Sequence, residues 1–157
     1  MRKNNSALFF TCSLIEFIGR TTKNTRLKVL EFLGKEDVER IYRYADVFHC
    51  EPMEKVADDF IEKDHISDGT YDNVAEGRFL IPDYWDIGDV FARLIEDCYE
   101  EQDVISGIWE VYSSWIADAI LNFNSDVYKR QVSFCGVRGG ASVHLSGDRP
   151  DAGGDPL

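Results

Sequence analysis

The chain has 157 residues, 44% of them hydrophobic and 13% aromatic, which is enough apolar material for one domain-sized core without disulfide or metal staples. Its 17 basic and 29 acidic residues leave a net charge of −12, which repels phosphate backbones and so excludes nucleic acid as a favoured partner. No window reaches 18 uninterrupted apolar residues, which excludes a membrane-spanning helix.

Asn5 or Ser6 can cap a first helix running to about Ile18. Its apolar residues, from Ala7 and Leu8 to Phe17 and Ile18, point in nearly every direction at 100° per residue, so the helix is expected to be central and buried. Thr21 to Thr25 reads as a polar corner, followed by a short helix over Leu27 to Leu33 that stops at Gly34. From Glu36 to Phe48 the apolar positions Val38, Ile41, Tyr42, Ala45 and Phe48 form one face of an amphipathic helix.

Pro52 suits the start of a fourth helix, in which Met53, Val56, Ala57, Phe60 and Ile61 repeat the helical period up to about Lys63. Asp64 to Asp72 reads as a loop, and Asn73 to Ile81 is ambiguous between a short helix and an extended segment before Pro82. Asp86, with Asp89 three residues on, offers a cap for a helix whose stripe is Ile87, Val90, Phe91, Leu94, Ile95 and Cys98. The longest helix is expected to begin at Asp103 and to run inward-facing from Ile105 to Phe123.

Beyond that the pattern stops. Residues 132–157 hold six of the twelve glycines and one aromatic, Phe134, so the segment cannot offset its ordering entropy. Asp126 to Gln131 resembles a hexapeptide of translated adapter sequence that recurs in proteins from metagenomic assemblies. A genuine disordered tail is the other reading. The expected organisation is therefore an acidic helical domain over 1–125 and a tail over 126–157, with Val132 to Leu157 packed on nothing.

Met1-Arg2-Lys3 followed by Ala7 to Phe10 has the outline of a signal peptide, but Thr11, Ser13 and Glu16 interrupt it. Four cysteines without a CxxC pair fit reduced thiols, so a cytoplasmic location is expected.

Two acid-x-x-His units, Asp46 with His49 and Glu62 with His65, could hold iron or manganese in a bundle, with Glu16 as a bridge. Pro52 between the units and the lack of further inward carboxylates favour ordinary helix-end residues. Zinc through His49, Cys50 and His65, with Cys12 or Cys98, lacks finger spacing. A Cys50 nucleophile is opposed by Glu51 and Glu54, which push a thiol pKa upward. No phosphate loop, nucleophile elbow, HExxH or dinucleotide fingerprint occurs.

Charge is distributed unevenly. Residues 1–28 have Glu16 as their one acid beside Arg2, Lys3, Arg20, Lys23, Arg26 and Lys28, while residues 29–127 carry a balance of −18. Arg20, Lys23, Arg26 and Lys28 could bind an acidic partner surface or a phosphate, or pair with the protein's own acids. Tyr84-Trp85 places two large aromatics in a short connection, a composition of interface anchors and of loops folded onto a core.

The run Asn4 to Glu16, Ala45-Asp46-Val47 near His49-Cys50-Glu51, and Pro82 to Gly88 together resemble a group of small uncharacterised bacterial proteins. That group is similar to accessory proteins encoded beside toxin modules. The resemblance implies an antitoxin-like or accessory role and attaches no activity to any residue.

The combined expectation is an all-α bundle of five or six helices, without a cofactor, that binds another protein with a basic surface. A small metalloprotein using Asp46, His49, Glu62 and His65 is the alternative. A helix-turn-helix regulator is a second one, opposed by Glu36, Asp37, Glu39 and Asp46 on its would-be recognition helix.

Overall fold

A computed structural model describes residues 5–75 and 82–122, and all their regular structure is helical. The expected 126–157 tail and most of the ambiguous 73–81 segment lie outside the described residues. The elements are α1 (Ser6–Thr22), α2 (Arg26–Arg43), α3 (Ala45–Phe48), α4 (Met53–Lys63), α5 (Tyr84–Cys98), α6 (Val104–Tyr112) and α7 (Trp115–Asn122), with one 3-10 turn at Glu101–Asp103. No helix is long and apolar enough to cross a membrane, among the described residues.

The first helix is central, as its unbroken apolarity requires. Leu8, Leu14, Ile15 and Ile18 are fully buried, each contributing about 1.5–3 kcal/mol of hydrophobic stabilisation. The Asn5 side chain accepts the backbone N–H of Leu8 and so caps the start of the helix. α5 lies along α1 in the most extensive helix pairing of the fold. They approach closely at Gly88, where an added Cβ would stand 2.7 Å from Ser13 Cα, so a side chain there would force the two apart.

Three boundaries differ from the sequence reading, each for a local reason. The 36–48 segment is two pieces, because α2 ends at Arg43 and gives way to α3 after Tyr44, while the expected stop at Gly34 is a kink with non-helical backbone (φ 75) inside α2. The expected long helix from Asp103 to Phe123 is broken at Ser113 and Ser114. The Ser114 N–H and hydroxyl both reach the Val111 carbonyl, which a continuous helix would offer to Trp115, while the Ser113 hydroxyl adds a bond to the Trp109 carbonyl. Finally, α5 starts earlier than Asp86: Asp83 is its cap, accepting the Asp86 N–H at 2.8 Å, so Tyr84 and Trp85 stand in the first helical turn and not in a connection.

Two helices stop on non-glycine residues in the left-handed conformation. At the end of α1, Lys23 (φ 61) turns the chain so that the Asn24 N–H reaches the Gly19 carbonyl. At the end of α4, His65 (φ 54) lets the Ile66 N–H bond the Ile61 carbonyl and donates its own N–H to Glu62, a Schellman stop without glycine. The 66–75 loop is pinned back to the α1–α2 corner by Gly69 to Thr22, Tyr71 to Lys23 and Asn73 to Asn24 hydrogen bonds.

Candidate functional site

Each of the four cations meets an acid of the protein itself, the second of the two readings that the sequence offered. Arg26 is buried, with 5% exposure, and its guanidinium grips Glu16 (1% exposed) through Nε to Oε1 at 2.5 Å and a terminal nitrogen to Oε2 at 3.0 Å. Arg20 donates to the same carboxylate at 2.8 Å and to the Pro82 carbonyl at 2.6 Å. Arg26 therefore belongs to the interior and cannot present a surface. The charges of Lys23 and Lys28 remain exposed, beside Asp72 (3.1 Å) and Glu31 (3.9 Å) respectively.

Glu16, read from the sequence as a possible metal bridge, instead receives three N–H donors. The Arg26 guanidinium also lies 5.3 Å from the centroid of the Phe91 ring, whose other neighbour, Tyr112, stacks at 4.3 Å. The interior thus holds a guanidinium between a carboxylate and an aromatic face. Burial pushes the adjacent Cys12 thiol up to about 12, keeping it neutral, and drives the Tyr112 hydroxyl well above its ordinary range.

Nor does the fold gather the acid-x-x-His residues. Asp46, His49, Glu62 and His65 are all exposed, and no group of three or more His, Cys, Asp or Glu among the described residues is placed to hold a metal ion. His65 serves as the helix stop described above. His49 packs its ring against Phe10 (5.7 Å) and Trp85 (6.3 Å), while the Asp46 carbonyl accepts the Cys50 thiol. Asp37, on the would-be recognition helix, is buried and held by Lys63 of α4 at 2.7 Å, with Arg40 at 3.5 Å.

A concave site does exist along one edge of the α1–α5 pairing, in which the start of α1 lies beside the later turns of α5. This groove has a volume of about 390 Å³ and is walled by Asn5, Ser6 and Phe9 of α1 and by Trp85, Asp86, Asp89, Ala92 and Glu96 of α5. Small-ligand pockets span roughly 300–1,000 Å³, so it has room for one long side chain. Positions 85, 89, 92 and 96 follow the helical period and bring one edge of α5 to the groove, while 5, 6 and 9 do the same on α1.

Aromatic packing fixes the groove's shape. Trp85 stacks obliquely on Phe9 at 5.3 Å and on Tyr84 at 5.1 Å, and Tyr84 meets Phe17 edge-on at 4.9 Å. Trp85 is half-buried, leaving part of the indole exposed. Asp86 has no cation within ion-pair distance among the described residues, and Asp89 gives one oxygen to Arg93 Nε at 2.7 Å. The site therefore combines a fixed aromatic wall with two carboxylates, Asp86 and Asp89, only partly matched by cations among the described residues.

Of the residues singled out in the sequence, Trp85 is in this groove and Tyr84 buttresses it, whereas Arg20, Lys23, Arg26 and Lys28 are not among its lining. Phe9 was hidden among the buried residues of α1. Its signal was its position one helical turn from Asn5, beside the half-exposed edge of an otherwise enclosed helix. Comparison with known protein families, curated proteins and solved structures found no match.

Proposed function

We propose that this chain is a protein-interaction module whose contact site is the groove between α1 and α5, and that its partner offers a basic surface. The observation that carries the reading is the pairing, in one concave site, of the half-buried Trp85 with the carboxylates of Asp86, Asp89 and Glu96. Buried-edge tryptophans anchor interfaces, and acidic rims select and steer basic partners. The −18 balance over residues 29–127 adds a long-range field of the same sign. An accessory or antitoxin-like role is one setting in which such a module operates.

The test is co-purification of the tagged chain with the products of genes encoded beside its own. The Asp86→Lys/Asp89→Lys double variant, confirmed as folded by circular dichroism, should lose the captured protein, and Trp85→Ala should weaken capture. A partner held equally by all three chains places the interface elsewhere and defeats the reading. Elemental analysis of the same preparations addresses the metalloprotein alternative: stoichiometric iron, manganese or zinc would favour it.

A further inference from the structure

The structure points to a specific occupant: we infer that the groove takes the guanidinium of an arginine side chain from the partner, laid against the Trp85 indole and bonded to Asp86 and Asp89. The inference rests on the interaction reading above and names the chemistry that the site would recognise.

The protein's own interior supplies the precedent. Arg26 is held between the carboxylate of Glu16 and the ring of Phe91, with two nitrogens on two carboxylate oxygens. A guanidinium suits that arrangement because it is planar, presents a fork of donors and is weakly hydrated on its faces. The groove repeats the surroundings with no cation of the described residues in place: Trp85 provides the aromatic face, Asp86 and Asp89 stand three residues apart on one side of α5, and Ala92 adds a small side chain to the lining. Asp89 gives its Oδ2 to Arg93, and among the described residues no cation pairs with its Oδ1 or with either oxygen of Asp86.

Shape and rigidity strengthen the choice. Trp85 is braced by Phe9 and Tyr84, and His49 approaches from α3, so the indole is oriented before any ligand arrives. A preorganised aromatic wall lowers the ordering cost of binding. An ammonium can satisfy the carboxylates but cannot stack flat or bond two of them in a fork, so lysine should be the poorer occupant. A neutral side chain of arginine's shape should be poorer still.

Three blocked pentapeptides of glycine with a central arginine, lysine or citrulline provide the probe. They are titrated into the full chain while the indole N–H signal of Trp85, assigned with Trp85→Phe, is followed by NMR. The arginine peptide should shift that signal saturably and bind on the order of tenfold more tightly than the citrulline peptide, about 1.4 kcal/mol. Lysine should fall between them. The Asp86→Asn/Asp89→Asn variant should lose the preference for arginine over citrulline while retaining its fold. Equal binding of arginine and citrulline, equal binding of arginine and lysine, or no saturable shift at Trp85 would overturn the inference. If the arginine peptide binds but the captured protein ignores Trp85 and Asp86, the groove's choice of a guanidinium stands and the interaction reading falls. If capture depends on Trp85 and the arginine peptide does not bind, the inference alone falls.

Discussion

Two regions of this molecule set a carboxylate beside an aromatic ring, and they differ in whether the described residues also supply a guanidinium. In the interior, Glu16 on α1 and Phe91 on α5 enclose Arg26 from α2, so that three helices are tied through one guanidinium. In the groove, Trp85, Asp86 and Asp89 on α5 face Phe9 on α1, and no arginine of the described chain lies over the indole. The same pair of helices thus carries one chemical motif in a closed form that serves cohesion and in an open form, for which we propose recognition. The contrast assigns opposite consequences to mutation in the two places.

Breaking the interior motif should have the largest effect. Arg26→Met leaves Glu16 buried with only the partly exposed Arg20, and removal of one member of a buried pair costs about 3–5 kcal/mol, measured by urea unfolding. Glu16→Met combined with Arg26→Met should recover much of that loss, since a packed apolar pair of similar volume is close to neutral. If the single variant is as stable as the parent, the buried pair is not what joins α1 to α2.

A smaller change probes a residue that belongs to neither region. His65 holds a left-handed conformation that costs a residue with a Cβ about 1–2 kcal/mol. His65→Gly should therefore raise stability by roughly 0.5–1 kcal/mol after the added chain entropy of glycine, and should leave groove binding unchanged. A loss of stability would give the imidazole a role beyond stopping α4.

The smallest expected effect sharpens the comparison with a third kind of carboxylate site, one acid against another. Burial, and then the neighbouring Asp37 carboxylate, raise the pKa of Asp64, with Lys63 opposing. Burial works against the Asp37 charge, but the hydrogen bonds from Lys63 and Asp64 and the charges of Lys63 and Arg40 hold its pKa below the ordinary value. An acid whose folded pKa is raised costs stability once it ionises, so Asp64→Asn should raise the melting temperature slightly at pH 7. The gain should fade as pH falls below about 4, where Asp64 is protonated in folded and unfolded chains alike. A gain that grows in acid would reverse the assignment.

Much of the helical framework was legible in the residues themselves. The all-round apolarity of α1 marks a central helix, and the stripes from Met53 to Ile61 and from Ile87 to Ile95 mark α4 and the body of α5. What escaped was set by local polar groups that periodicity does not weigh. The hydroxyls of Ser113 and Ser114 divide a continuous apolar pattern, Asp83 displaces Asp86 as the cap, and Lys23 and His65 stop helices without the expected glycine. The candidate site was less legible still, because Phe9 and Trp85 come from distant parts of the chain and meet through the packing of α5 on α1, closest at Gly88 and Ser13. Arg26 could be read as a surface cation or as a partner for the protein's own acids, and nothing in sequence singles out Glu16 among them.

The central claim, that the groove takes from outside the cation that the interior supplies for itself, is tested most directly by competition. The captured partner is held on the immobilised chain and challenged with arginine amide, lysine amide or citrulline amide, with sodium chloride equalising the ionic strength. The account predicts that arginine amide releases the partner at concentrations where lysine amide releases less and citrulline amide leaves it bound. Equal release by all three, or by salt alone, would contradict it.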